Sequence, residues 1–125
     1  MSLERHTNFA EGEDKIRQMK MVSSPDGVVV DPTPVTAESK VEVFYDGLLF
    51  KDGADAIWVY VGYGHNNQWN NSEYFEMNKT GWGFEKSFYI SGYDRLNFCF
   101  KDSANNWDNN NGLNWSYEIH DGHQH

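Results

Sequence analysis

Two asparagine-rich segments each surround a single tryptophan, and they are the parts of this chain whose residue types could do chemistry. One covers residues 64–72 around Trp69, and the other covers residues 102–112 around Trp107. Twelve asparagines lie between residues 66 and 114, and one lies elsewhere. A tryptophan with only polar neighbours in sequence has little tendency to belong to a core strand. The pattern predicts two loops that each expose an indole; the alternative is that each indole folds back as a structural plug.

The chemistry of these side chains fits a neutral, hydroxyl-rich ligand. The flat indole offers an apolar face on which the C–H side of a sugar ring can stack out of contact with water. Asparagine combines one acceptor with two donors, which matches the mixed donors and acceptors at the rim of a sugar. The two segments therefore predict a sugar-binding surface and are poorly suited to phosphates.

The charge and hydropathy of the chain argue against two classes of partner. The formal net charge is -9, with 10 Lys and Arg residues against 19 Asp and Glu residues. This balance argues against binding to a nucleic-acid backbone and against contact with anionic lipid. The mean hydropathy is -0.77, and the longest apolar runs have the length of a strand rather than of a membrane span. We expect neither a nucleic-acid nor a membrane partner.

No motif in the chain predicts a metal, a cofactor or catalysis. Cys99 is the only cysteine, so an internal disulfide and a Cys-rich zinc site are excluded. The segment that begins at Asp108 resembles a calcium loop, but an EF-hand needs Gly at its sixth position and Glu at its twelfth. Leu113 and Ile119 stand there instead. We expect no metal, no cofactor and no enzymatic activity.

Short runs of β-branched and aromatic residues follow one another from Lys40 onward, with turn residues between them. This pattern predicts an all-β, antiparallel sandwich over residues 38–120. Residues 1–37 are expected to form an irregular or partly helical arm, with one short helix over residues 11–21, and residues 121–125 a flexible tail. The first residues lack the apolar stretch of a secretory signal, which favours a cytoplasmic location, or an extracellular one if a leader has been removed.

Several of these segments together resemble a known family. They are residues 43–49 (VFYDGLL), 59–64 (VYVGYG), Trp69-Asn70 and 96–115 (LNFCFKDSANNWDNNNGLNW). They are similar to starch-binding carbohydrate-binding modules of families 25 and 53, and the most specific part is 100–115. The resemblance implies an immunoglobulin-like β-sandwich that binds α-glucans without cleaving them.

The resemblance also implies a set of binding residues and partners. In family 25 a histidine and two tryptophans form the sugar platform, and the matching positions here are His65, Trp69 and Trp107. The side chains expected to contact sugar hydroxyls are Asn67, Asn70, Lys101, Asn106 and Asn109. The expected ligand is starch, glycogen or a maltooligosaccharide. Such modules are usually attached to an amylase or a starch synthase, so association with a separate glucan-active enzyme is also expected.

Two other functions are alternatives to this prediction, and three other tryptophans are expected to lie outside the platform. The same exposed tryptophans could anchor a protein partner, and a small glycosidase or esterase with an unrecognised site is a third alternative. Trp58 and Trp115 lie in alternating strand patterns and are expected in the core. Trp82 lies between two glycines at a predicted hairpin tip, where it is either simply exposed or a second, weaker sugar contact.

Overall fold

A computed structural model describes residues 27–121, which form ten strands and one short helix. The helix α1 covers Leu48–Lys51. The strands are β1 (Val28–Asp31), β2 (Val35–Thr36), β3 (Lys40–Tyr45), β4 (Ile57–His65), β5 (Gln68–Glu76), β6 (Asn78–Thr80), β7 (Gly83–Tyr89), β8 (Arg95–Asp102), β9 (Trp107–Asp108) and β10 (Trp115–His120). The predicted helix over residues 11–21 and all but the first residue of the predicted tail lie outside the described residues.

Two packed sheets build the fold. The smaller sheet has the order β1-β3-β7-β6, and the larger has the order β2-β10-β8-β4-β5, with β9 added beside β8. All pairs are antiparallel except β2 with β10, which is parallel. The predicted all-β sandwich is confirmed, with this one parallel pair as an exception to the antiparallel pattern.

The core lies between the two sheets and follows the period-two alternation of their strands. In β8, Leu96, Phe98 and Phe100 are fully buried against the other sheet. Trp115 of β10 is also buried, as predicted, and its ring lies 5.2 Å from that of Phe100. Because β4 and β8 carry most of the inward-facing residues of the larger sheet, the core anchors the two strands that also carry much of its outer face.

The segment before residue 38 contributes two strands to these sheets. β1 pairs with β3, and β2 pairs with the end of β10. The valines Val28, Val30 and Val35 are buried. Residues 28–36 of the predicted arm are therefore part of the sandwich. Within residues 27–121, no helix has the length and apolar character needed to cross a membrane.

Candidate carbohydrate-binding site

The first asparagine-rich segment is a strand hairpin, which corrects the prediction of a loop. β4 runs to His65, a two-residue turn follows at Asn66 and Asn67, and β5 begins at Gln68. Among the strands of residues 27–121, β5 pairs only with β4 and forms an edge of the sheet. Polar side chains are acceptable at both faces of such an edge, so asparagine there does not prevent a strand.

A β-bulge decides which way Trp69 points. Val61 pairs with Glu73, but Tyr63 pairs with Asn70, so β5 has one extra residue in this stretch. Asn71 supplies the left-handed backbone that accompanies the irregularity, with a φ of 55°. Trp69 and Tyr74 are five residues apart and would lie on opposite faces of a regular strand. The extra residue brings both onto the outer face of the larger sheet.

The indole of Trp69 is fixed by its own hairpin. Its Nε1–H donates to the backbone carbonyl of Asn66 at 2.8 Å. The ring lies over Gly62 of the neighbouring strand, where a Cβ atom would come within 2.5 Å of the Trp69 side chain. Glycine at position 62 is therefore needed for the close approach. The indole N–H is already bonded, so the ring face is what this side chain can offer to a ligand.

Trp107 is held through its neighbour Asp108. The two residues form β9, which pairs with Phe100 and Lys101 of β8. The buried Tyr45 hydroxyl donates to the Asp108 carboxylate at 2.6 Å and accepts from the backbone N–H of Leu49 at 2.9 Å. Burial and the bond to Asp108 raise the pKa of Tyr45 above its usual range, so this hydroxyl stays a donor. The core thus anchors the strand that carries Trp107, whose side chain is 41% exposed.

The turn that leads into β9 is built around the Asp102 carboxylate. It accepts hydrogen bonds from the backbone N–H groups of Ala104 and Asn106, and from the side-chain amide of Asn106 at 3.0 Å. These bonds, the Asn106 side chain first, hold the pKa of Asp102 below its ordinary value. Asn106 therefore shapes the turn with both its backbone and its side chain.

Four aromatic side chains meet on the outer face, and we refer to Tyr60, Trp69, Tyr74 and Trp107 as the aromatic platform. The Tyr60 ring lies 5.3 Å from Trp69, 4.4 Å from Tyr74 and 6.0 Å from Trp107, between ring centroids. The Tyr60 and Trp69 planes differ by 32°, and those of Tyr60 and Trp107 by 76°. Tyr60 joins the two indoles into one open, non-planar surface. It lines a hollow of about 480 Å³ together with Trp69 and Trp107.

The comparison with known protein families agrees with this surface. Residues 41–98 match the model of a starch/carbohydrate-binding module, family 53. Over these residues, the chain is similar to the starch-binding modules of family 53. The resemblance predicted from the sequence is thus confirmed for that family. No curated protein and no solved structure shows a significant match to the chain.

The family 53 region, residues 41–98, contains three of the four platform rings. Tyr60, Trp69 and Tyr74 lie inside it, whereas Trp107 lies beyond its end. The whole segment 100–115, on which the sequence resemblance depends most, is also outside the match. Trp107 reaches the platform through the pairing of β9 with β8.

The structure does not bring His65 to the platform. His65 is paired with Gln68, whereas Trp69 is paired with Gly64, so His65 and Trp69 point to opposite faces of the hairpin. His65, Gln68 and Asn70 line a different hollow, of about 570 Å³, together with Tyr93 and Asp94. We call it the His65 hollow. The role of His65 in sugar binding stays a prediction.

The remaining predicted contact residues fall into two groups. Asn67 lines the hollow of the platform, and the Lys101 ammonium lies 6.0 Å from the centre of the Tyr74 ring. Asn106 bonds to Asp102, and the Asn109 side chain accepts from the backbone N–H of Gly112 at 3.0 Å. The structure therefore gives Asn106 and Asn109 roles within their own turns. Their predicted contacts with sugar remain predictions.

Trp58 is not in the core, which corrects the expectation from its strand pattern. It is half-buried on the outer face, and the Lys101 ammonium lies 5.0 Å from its ring centre. Every position from Ile57 to Tyr63 except Gly62 is apolar or aromatic, so alternation alone could not show which face was buried. The same ambiguity hid Tyr60. The useful signal was Gly62 and Gly64, small residues that leave the outer face open for neighbouring rings.

The single cysteine lies beneath the platform. Cys99 pairs with Tyr60 across β8 and β4, is buried, and borders the hollow of the platform. Burial, followed by the charge of Asp108, raises its pKa to about 12. A thiol with this pKa is almost entirely protonated near neutral pH and is a poor nucleophile.

Proposed function

We propose that the chain binds α-glucans, such as starch, glycogen and maltooligosaccharides, on the aromatic platform and does not cleave them. The observation that carries this proposal is the convergence of Tyr60, Trp69, Tyr74 and Trp107 on one open face. The match of residues 41–98 to a starch/carbohydrate-binding module supports the ligand class.

The tilt of the rings supports a curved ligand. Successive glucose units of an α-glucan turn relative to one another, whereas a flat, cellulose-like chain would suit coplanar rings. The 76° between Tyr60 and Trp107 is far from coplanar. Each exposed ring face can remove the apolar side of a sugar from water, at about 25 cal/mol for each Å² buried.

The polar groups beside the rings support recognition of hydroxyls. Among residues 27–121, the side chain of Asn67 forms no hydrogen bond with another described residue, and it borders the platform hollow. In contrast, the Asn66 side-chain amide donates to the carbonyl of Leu113 at 2.9 Å, so it already serves the fold. Asn67 is therefore the asparagine best placed to contact a bound sugar.

The composition of the hollow supports binding without cleavage. Glycoside hydrolysis generally uses a pair of carboxyl groups that flank the scissile bond. The described residues that line the platform hollow include no Asp and no Glu. They are Tyr60, Asn66, Asn67, Trp69, Ser72, Cys99, Trp107 and Asn114.

Affinity electrophoresis tests the binding proposal directly. The chain should be retarded in gels that contain amylopectin or glycogen, and added maltoheptaose should reverse the retardation. An open platform leaves much of the ligand in water, so we expect dissociation constants in the micromolar to millimolar range, roughly -8 to -4 kcal/mol. A reducing-sugar assay on the same polysaccharides should show no release. Migration as free in the polysaccharide gels as in plain gels would refute the proposal and favour the alternative of a protein-interaction domain.

A pair of aromatic variants assigns the binding to the platform. Trp107→Ala should weaken maltoheptaose binding at least tenfold, about 1.4 kcal/mol, with an unchanged thermal midpoint. The control is Tyr89→Ala on β7 of the other sheet, whose ring is 67% exposed. It should change neither affinity nor stability. If Trp107→Ala lowers the midpoint but keeps the affinity, Trp107 is a structural plug and the proposed platform is wrong.

A further inference from the structure

We propose that the His65 hollow is a second binding site for a short stretch of α-glucan, separate from the aromatic platform. This inference rests on the proposed function for the class of its ligand. It concerns residues on the other face of the β4–β5 hairpin.

The hairpin and the loop after β7 build this hollow together. Tyr63 pairs with Asn70 and His65 pairs with Gln68, so these four side chains share the face opposite Trp69. Residues 91–94 close the hollow from the other side. Gly92 packs directly against Tyr63, because a Cβ atom at Gly92 would come within 2.2 Å of the Tyr63 ring. The backbone N–H of Ser91 also donates to the Tyr63 hydroxyl at 3.2 Å.

The lining side chains suit a neutral, hydroxyl-rich ligand. In the part of the chain that the structure describes, the side chains of His65, Gln68 and Asn70 form no hydrogen bond with one another or with other residues. Their donors and acceptors are therefore available to a ligand. The described residues that line the hollow include the Asp94 carboxylate, which can accept from two hydroxyls, and no Lys or Arg. A phosphate or carboxylate ligand would lack a counter-charge there.

An aromatic side chain at the rim supplies a stacking surface. Tyr93 lines the hollow with a 65% exposed side chain. Its hydroxyl donates to the Glu38 carboxylate at 3.3 Å, which restrains the ring. A volume of about 570 Å³ falls within the range of small-ligand sites, roughly 300–1,000 Å³. The hollow thus shares an aromatic face and side-chain amides with the platform and adds an imidazole and a carboxylate.

Two sites on opposite faces of one hairpin would hold two stretches of glucan. A single straight chain cannot occupy both without passing around the turn at Asn66 and Asn67. Simultaneous contact with a branched or granular polysaccharide would therefore raise the apparent affinity without any new contact in either site.

A titration with maltotriose separates the two sites. It is monitored by NMR through the backbone and side-chain N–H signals of the isotope-labelled protein. We expect two groups of shifting signals. One contains the Trp69 indole, and the other contains Gly92, Tyr93 and the side-chain amide of Asn70. In Trp107→Ala, the second group should still shift with an unchanged dissociation constant.

A double variant makes the reciprocal test. Gln68→Ala combined with Tyr93→Ala should weaken the second group's response at least tenfold and leave the Trp69 indole response within twofold of the original. If the Trp69 indole shifts in the unaltered protein while residues 91–94 do not, the second site is refuted and the proposed function stands. If residues 91–94 shift while the indole does not, the platform is refuted and the His65 hollow stands. Silence of both groups refutes both.

Discussion

The β4–β5 hairpin and the segment of residues 102–114 read alike in sequence but are built in different ways. In the hairpin, Trp69 lies on the nine-residue strand β5 and its indole bonds to the turn beside it. In the 102–114 segment, Trp107 lies on a two-residue strand that the core holds through Tyr45 and Asp108. One indole is positioned by local structure, and the other by a residue more than sixty positions away.

The asparagines of the two regions also differ in what their side chains and backbone do. The hairpin side chains of Asn67 and Asn70 form no hydrogen bond within residues 27–121. In the later segment, most asparagines form turns. The left-handed backbone there is adopted by Asn105, Asn110, Asn111 and Asn114, with φ values of 65°, 58°, 57° and 56°. Asparagine tolerates this conformation better than other non-glycine residues. An asparagine-rich segment can therefore indicate turns as readily as sugar contacts.

One residue connects the two regions. The Asn66 side chain donates to the carbonyl of Leu113 at 2.9 Å and accepts from the side-chain amide of Asn114 at 3.3 Å. Its backbone carbonyl also holds the Trp69 indole. The platform is thus assembled from two regions that contact each other at the turn of the hairpin.

Tyr45→Phe should give the largest effect and tests the long-range anchor of Trp107. The ring stays stacked on Phe100, at 4.1 Å, but Asp108 and the Leu49 N–H lose their partner. Unfolding free energy should fall by about 2–3 kcal/mol, since a partly buried carboxylate loses its 2.6 Å bond and retains the longer one, 3.4 Å, from the backbone N–H of Asn110. Chemical denaturation measures this, and maltoheptaose affinity should fall with it.

A comparison of Asp108→Asn with Asp108→Ala is the matched control for the hydrogen bond in this anchor. The asparagine keeps an oxygen that can accept from Tyr45, so it should retain more stability and affinity than the alanine. Equal losses for the two variants would show that the hydrogen bond does not position Trp107.

Gly62→Ala should have the next largest effect and tests the local anchor of Trp69. The new methyl group would overlap the Trp69 side chain, which must leave its place. We expect a loss of about 1–3 kcal/mol in stability from overpacking, and a loss of glucan affinity. Gly81→Ala is the control, because no heavy atom of the described residues, its chain neighbours aside, lies within 4 Å of a Cβ there. Adding Trp69→Ala to Gly62→Ala should restore stability without restoring affinity; the local anchor is refuted if Gly62→Ala binds glucan normally.

A comparison of two asparagines sharpens the contrast between sugar contact and turn formation. Asn110→Ala should lower the unfolding free energy by about 1–2 kcal/mol, because the left-handed backbone conformation is sterically unfavourable for alanine. It also removes the bond from the Asn110 side chain to the carbonyl of Asn114, at 3.1 Å. Asn67→Ala should change stability by less than about 0.5 kcal/mol but weaken maltoheptaose binding severalfold. The reverse pattern would show that the free amide of Asn67 has no part in binding.

The smallest expected effect is the pH dependence of the turn around Asp102. Its folded-state pKa lies below the ordinary value of 3.8, so its contribution to stability is present above that value. It is lost as the pH falls through the lowered folded-state pKa. Stability measured downward from about pH 5 should therefore fall less steeply in Asp102→Asn than in the unaltered chain. Identical slopes would mean that the carboxylate does not stabilise the turn.

The sequence predicted the class of the fold because its signals are local and repeated. Short strand-like runs such as 96–100 recur along the chain with turn residues between them. An error in one run therefore does not change the predicted fold class. The loop prediction for residues 64–72 was wrong because asparagine disfavours strands only weakly, and pairing with β4 outweighs that preference. The core prediction for Trp58 was wrong because residues on both faces of β4 are apolar or aromatic, and alternation then does not show which face is buried.

By itself, the sequence determined the all-β fold, the resemblance to starch-binding modules and the choice of Trp69 and Trp107 as aromatic residues in polar surroundings. Only the tertiary structure decided which side chains share a surface. It placed Tyr60 between the two indoles and turned His65 to the other face of the hairpin. The reason is parity. In β4, five residues separate Tyr60 from His65, so their side chains lie on opposite faces. In β5, one extra residue near Asn71 brings Trp69 onto the same face as Tyr74. Such a bulge depends on how two strands pair, and that is a property of the sheet rather than of either strand alone.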